Sequence, residues 1–288
     1  MKLIPAALSL VALLGACADE TGLSVGTSTS TSAGTTAGEP RYEATTTVLE
    51  DADGPELCLG GVLDSLPPQC GGVPVDGWSW ADVDGEESVG GTTWGEFQVV
   101  GTYDGERFTL IDAGAPEPYP AEEGDRFAVP CHEPQGGWID IDRSMTGEND
   151  RIAAMRVAED IRAYAGAWIS YLEQPIDDEA PGAYVVTIAF TGDPGVHEDV
   201  IREAWGGPLC LTSAEHTFAE LRRAQRDLGD GNAERLGLEM TWSDIDVMKN
   251  RVELGVVVFD PSKQSALDEE YGAGVVHVEP ALRLVGGA

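Results

Sequence analysis

Bases are scarce in this sequence: 17 lysines and arginines face 51 aspartates and glutamates, for a formal net charge of -34. Nucleic acid and anionic lipid head groups would be repelled, so neither is expected as a partner. The acids are spread along the chain, which reads as a solvated, aggregation-resistant surface. Long apolar runs are scarce too. Beyond residues 1–17 no segment approaches the roughly 20 apolar residues a spanning helix needs. Histidines number only 4, at His132, His197, His216 and His277, with none in ligand spacing to another. Surface or structural roles are expected for them, with His197 and His216 on helices and His277 on a strand. A Gly-x-Ser-x-Gly elbow, a Walker loop, a GxGxxG fingerprint and His-Glu-x-x-His are all lacking. No catalytic residue is assigned on this basis, and no cofactor is expected.

What is present begins at the N-terminus. MKLIPAALSLVALLGAC has one charge at Lys2, an apolar run over residues 3–14, then Leu14-Gly15-Ala16-Cys17. The run is short for a spanning helix, and small residues before a cysteine suit a lipoprotein signal peptidase. Residues 1–17 are therefore expected to be a signal peptide with a lipobox. Acyl chains of the palmitate kind on Cys17 would be the sole membrane attachment of an extracytoplasmic protein. Residues 18–40, almost all Thr, Ser, Gly, Ala and acids, cannot bury enough apolar surface to offset chain entropy and read as a flexible tether.

With Cys17 set aside, Cys58, Cys70, Cys131 and Cys210 remain, an even number in an oxidising compartment. Of the three connectivities, Cys58 with Cys70 closing a Pro-rich loop, and Cys131 with Cys210 stapling two domains, is preferred. The rival reading, a metal site, rests only on His132 beside Cys131.

Residues 41–135 read as a small all-β domain. Short apolar runs at 57–62, 78–80, 93–103 and 107–111 are broken by Gly and Pro clusters, and Asp104-Gly105 predicts a tight hairpin. A barrel of the OB kind would fit, as would a small open sandwich. Residues 136–182 form a connecting region. There Ile152, Met155, Ile161, Ala165, Trp168 and Leu172 predict one helical stripe that Pro175 stops. Residues 183–288 carry an internal repeat: YVVTIAF, Asp193-Pro194, a helix and PLCL, then VELGVVVF, Asp260-Pro261, a helix and VVHV. In both copies Asp suits the helix cap and Pro the first helical position. Between the copies, Thr212-x-x-Glu215 has capping-box spacing and opens a helix, and a hairpin follows. The predicted class is α+β: a small barrel-like β domain, then a ferredoxin-like sandwich with helices over one face of a mostly antiparallel sheet.

Residues 215–278 also carry a resemblance. EHTFAELRRAQRDLG, then LEMTWSDIDVMKNRVELGVVV, then a short helix and YGAGVVHV resemble the pro-regions of secreted α-lytic and streptogrisin-type serine proteases, with a helix, a Trp- and Asp-containing strand, Asn-Arg-Val and a Val-rich strand in the same order. In that family the pro-region folds and inhibits the protease domain that follows it. This sequence ends at Ala288, so the implied role is expected to act on a separate protein. The chain as a whole resembles lipoproteins of high-GC bacteria, which implies no particular function.

Candidate sites remain few. Asp140-x-Asp142-x-Ser144 places oxygens at alternate positions, as a hard cation would want, but Met145 and Arg151 stand where an EF-hand needs Gly and Glu. A metal is thus left open. Asp244 and Asp246, two apart on a strand, share a face read as solvated. Trp78, Trp80 and Trp94 either fill the core of the β domain or form a stacking surface for sugars or peptides. The expected role is a non-catalytic binding module with an envelope protein or glycan as partner. The alternatives are an inhibitor or folding partner of a secreted serine protease, and a hydrolase using paired carboxylates.

Overall fold

Glycine and proline clusters cut the chain into short apolar segments, and most of these segments become strands. The structure, a computed structural model, describes residues 39–116, 128–172 and 184–286. The predicted signal peptide with Cys17, nearly all of the tether and the acidic connector at 177–182 lie outside the described residues. The described strands form one seven-stranded sheet and two three-stranded sheets, and the protein is of mixed α+β class.

The large sheet contains β1 (Arg41–Asp51), β2 (Gly54–Leu57), β3 (Val73–Asp76), β4 (Glu87–Val89), β5 (Thr92–Tyr103) and β6 (Phe108–Gly114). Its order is β1-β2-β3-β6-β5, and β5 then pairs back along β1 from Arg41↔Thr102 to Glu50↔Thr93, so the pairings run round in a ring. β3 and β6 are parallel; the other neighbours in the ring are antiparallel. Inside lie Val48, Leu57, Phe97, Val99 and Phe108. β5 bends at a register shift between Val100 and Gly101. A Cβ on Gly101 would stand 2.3 Å from the Thr109 carbonyl and 2.5 Å from the Phe108 ring, so only glycine lets β6 cross there. Asp104-Gly105 does not make the predicted two-residue turn. Pairing stops at Tyr103↔Phe108, and the Asp104 carboxylate holds a four-residue loop by accepting the N–H groups of Glu106 and Arg107. The apolar stretch around Trp80 is a 3-10 turn, Trp80–Asp82, rather than a strand.

The C-terminal half repeats a longer unit than the sequence shows. The first copy runs α1 (Glu148–Glu159), β7 (Tyr164–Tyr171), β8 (Tyr184–Thr191), α2 (Glu198–Arg202) and β9 (Leu209–Ala214). The second runs α3 (Phe218–Asp227), a short α4 (Ala233–Arg235), β10 (Met240–Asp246), β11 (Arg251–Val256), α5 (Gln264–Tyr271) and β12 (Val276–Pro280). In each copy the first two strands are antiparallel and the crossover through the helix makes the last pair parallel. The expectation of a single, mostly antiparallel sheet is therefore corrected to two sheets with one parallel pair each. Both crossovers open alike. Asp193 accepts from Gly195 N at 3.0 Å and Asp260 from Ser262 N at 2.9 Å, each ahead of a proline at the start of a 3-10 turn.

The predicted helical stripe through residue 172 also needs correction. The helix ends at Glu159, a turn follows, and residues 164–171 form β7. Aromatic and β-branched residues in YAGAWISY favour a pleated surface, and pairing with β8 buries Ala165 and Ser170. Likewise the capping box is not at Thr212, which sits within β9, but at Thr217 and Glu220. The same S/T-x-x-E spacing occurs twice, five residues apart, and the copy next to the amphipathic run takes the role.

Each repeat has its own core. Val186, Ile188 and Phe190 pack on Ala154, Ala158, Ile201 and Trp205 in the first. Val252, Leu254 and Val256 pack on Leu221, Leu228 and Leu267 in the second. Burying one such aliphatic side chain is worth about 1.5–3 kcal/mol. After β12 the chain returns to the ring. Leu282 and Val257 join the ring core, and β13 (Arg283–Leu284) pairs with Tyr42 and Glu43 of β1.

Candidate binding cleft

The two repeats are knitted at the β10–β11 turn. Asp246 opens the turn by accepting from Met248 N and Lys249 N at 3.0 and 2.9 Å. Asn250 closes it at φ 54°, the left-handed region that asparagine tolerates better than most residues. Its side chain then reaches the end of the first repeat: Oδ1 accepts from Glu215 N and His216 N at 3.0 and 2.7 Å, and Nδ2 donates to His216 O at 2.8 Å. Burial opposes the charge on Lys249, yet its hydrogen bond to Asp246 and the nearby Glu253 carboxylate outweigh this and raise its pKa.

Beside this junction opens a cleft of about 270 Å³ lined by Trp168, Ser213, His216, Met248 and Lys249 among others. Trp168 projects from the centre of β7, opposite Thr187 of β8. Its indole Nε1 is buried with no hydrogen-bond partner among the described residues, and the neighbouring Ser170 and Thr187 hydroxyls share that condition. Buried donors normally find an acceptor, so Trp168, the one of these three that lines the cleft, brings unspent hydrogen-bonding capacity to its wall.

A second groove, about 500 Å³, opens where α1 hands over to β7 and meets α3. Tyr164 stands edge-to-face on Phe218 with ring centres 5.7 Å apart, and the Arg222 guanidinium lies 5.9 Å from the Phe218 ring centre. Arg162 and Arg226 also line it, together with Glu159 and Asp160, and none of these three arginines forms an ion pair with another described residue. Burial, with the Glu159 charge nearby, pushes the Tyr164 hydroxyl up to about 12, so it stays a neutral donor at physiological pH. Sequence reading missed this groove because its arginines come from separate elements, and only Arg222 and Arg226, four apart on one helix face, left a signal.

α3 is set by its capping box, in which Thr217 Oγ1 accepts from Glu220 N at 3.2 Å and Glu220 accepts from Thr217 N and Oγ1 at 2.8 Å. The Thr217 N–H and hydroxyl bonds hold the Glu220 carboxyl below its usual 4.5. With the folded value below the unfolded one, the contribution of the box is complete above pH 4.5 and is lost as pH falls through the lowered value. Glu220→Gln is therefore expected to melt lower than the parent at pH 7. Thermal unfolding followed down to pH 3 should show the gap closing, and a gap independent of pH would contradict this assignment.

The other predicted residues are placed as follows. Trp78 and Trp80 come together edge-to-face with centres 5.1 Å apart, and both pack on Phe97. Trp80 Nε1 donates to Glu50. Trp94 takes no part in that group; it sits on β5 opposite Leu49. A stacking surface built from all three tryptophans is thus not what the structure brings together. Cys58 is joined to Cys70, and Cys131 to Cys210 of β9. Asp142 turns its carboxylate to Ser144 N and Oγ at 2.9 and 2.6 Å, capping a 3-10 turn, and Asp140 faces Arg143 at 3.6 Å. These oxygens serve local backbone, hydroxyl and charge. His197 ends the 3-10 turn before α2 and rests on Phe190 with ring centres 4.4 Å apart, and His216 directly precedes the Thr217 cap rather than lying in a helix. His132 lies next to Cys131, and His277 lies on β12. Asp244 and Asp246 share a face of β10, where Asp246 is committed to the turn.

A scan against protein-family models finds no match for this chain, and a search of curated proteins finds none either.

Proposed function

We propose that this chain is an extracytoplasmic lipoprotein, held to a membrane by lipid on Cys17 alone, that acts as a non-catalytic binding module for an envelope partner, protein or glycan. Two disulfides support the oxidising compartment. Among the described residues no helix is long and apolar enough to cross a membrane. We read the ring of β1, β2, β3, β6 and β5 as a small barrel of the OB kind, and the helix-over-sheet layering of the repeats as ferredoxin-like in style.

The observation that carries the binding reading is Trp168: a large ring in a cleft wall with a buried, unpaired donor. A ligand acceptor reaching that N–H would restore a hydrogen bond worth about 0.5–1.5 kcal/mol, a factor of roughly 2–13 in affinity. The test is capture of partners from the envelope and secreted fractions of the source organism, using the chain with both disulfides. Ser213→Trp, which fills the cleft from an exposed position, should abolish specific capture, and Trp168→Phe should weaken it several-fold. Undiminished capture by Ser213→Trp would move the site elsewhere.

A second reading is inhibition of a secreted serine protease. It is favoured by one fact: the stretch resembling protease pro-regions spans consecutive elements, α3 to β12, around a core of its own. Recovery of a serine protease in the same capture, with its activity inhibited by the chain, would put this reading first.

A further inference from the structure

We propose that Glu253, His277 and Glu279 form a binding site for a divalent transition cation of the zinc class. The site follows from strand alternation. On β11 and β12 the residues Val252, Leu254, Val256, Val276 and Val278 point into the second repeat's core. The alternate residues must then face the other side of the sheet. The parallel register sets Glu253 beside His277 and Gly255 beside Glu279. One ligand atom from each of Glu253, His277 and Glu279 comes within 4.8 Å of the others. Glycine at 255 matters here: a Cβ would stand 2.1 Å from the Trp242 indole, so its absence lets that ring lie across the strand at the position paired with Glu279.

The three groups are not alike in their surroundings, and the difference points to a ligand. His277 and Glu279 are exposed, as bland surface residues would be. Glu253 is only 6% exposed, which is unusual for a carboxylate. Its Oε1 accepts from Arg251 Nε at 2.9 Å and from Lys249 Nζ at 3.4 Å, so part of its charge is matched. Oε2 is buried and has no hydrogen-bond partner among the described residues. A buried carboxylate oxygen left bare is costly, and a cation shared with His277 and Glu279 would satisfy it.

One imidazole nitrogen with two carboxylates selects the cation. Calcium and magnesium prefer sets of oxygen ligands, whereas a nitrogen with two oxygens suits zinc and its neighbours in the transition series. Three protein ligands on a sheet face also leave a coordination position open to water or to a group from a binding partner. The same position in the first repeat is built differently. There Thr187 stands in the place of Glu253 and disulfide-bonded Cys210 in that of His277, so only the second copy carries donors.

The experiment is isothermal titration of the full chain, disulfides intact and without a polyhistidine tag, with zinc chloride and separately with magnesium chloride. Cobalt(II) absorption serves as an independent report of a nitrogen ligand. The expected result is one zinc per chain, no comparable magnesium binding, and at least a tenfold loss of zinc affinity in His277→Ala and in Glu279→Gln. Both are exposed positions, so folding is retained. Glu87→Gln is the control, because Glu87 is exposed on β4 of the large sheet, outside the group, and should leave zinc affinity within about threefold. The proposal is overturned if zinc fails to bind at micromolar concentration. It is equally overturned if all three variants weaken zinc alike, which would mark diffuse attraction to an acidic surface.

Discussion

Replacing Cys131 and Cys210 together by alanine is expected to cost more stability than any other change considered. The bridge spans a sequence separation of 79, for which loop closure in the unfolded chain corresponds to about 4.5 kcal/mol. The Cys58–Cys70 bridge spans 12 and corresponds to about 2.8 kcal/mol. The long bridge has a second role in the folded state. It pins the segment ahead of α1 onto β9, while the Gly206 carbonyl accepts from Ile141 N and Asp142 N at 2.6 and 3.0 Å a little further along. In a folded unit of this size about 4.5 kcal/mol is roughly 9 °C in melting temperature. Calorimetry of the two double-alanine proteins should rank Cys131/Cys210 below Cys58/Cys70. Equal losses would mean that the unfolded chain is held compact by something other than the bridges.

Asn250→Ala is the second large effect, put at about 3 kcal/mol. Three hydrogen bonds, each with a net worth of about 0.5–1.5 kcal/mol, are lost, and alanine adds the strain of a left-handed backbone. Asn250→Gly separates the two contributions. Glycine adopts φ 54° freely but makes none of the bonds, so about 2 kcal/mol should remain. Because the side chain ties the end of one repeat to the turn of the other, both variants should also loosen the cleft at Trp168. Protease nicking or amide exchange near residues 213–216 should therefore rise in both. Unchanged exchange there with full loss of stability would confine the role of Asn250 to its own turn.

The sequence carried the repeat further than it carried the sites. Asp-Pro at 193–194 and 260–261 marks two crossovers because a cap and a fixed φ act locally, and the structure uses both pairs that way. Trp168 shows the limit. Its spacing from Ile161 and Ala165 fits a helix period, and only pairing with Thr187 of β8, nineteen residues later, makes it strand. Thr212 and Thr217 offer equal capping chemistry, and tertiary pairing of β9 removes the first from competition. The cation site was invisible for a related reason. Glu253, His277 and Glu279 lie 24 and 2 residues apart, a spacing that fits no local motif until a parallel register sets the two strands side by side.

The return of the chain to its beginning sets an order of assembly. Leu282, 1% exposed, fills the same core as Val48 and Phe97, and β13 lies against Tyr42 and Glu43. During synthesis the ring core therefore stays incomplete until Leu282 and β13 arrive, however early β1 and β5 find each other. Such long-range closure slows folding and lengthens the interval in which a nascent chain is open to aggregation or to a holding chaperone. A heavily acidic sequence, self-repelling while unfolded, suits a ring that closes only when residues 282–284 arrive.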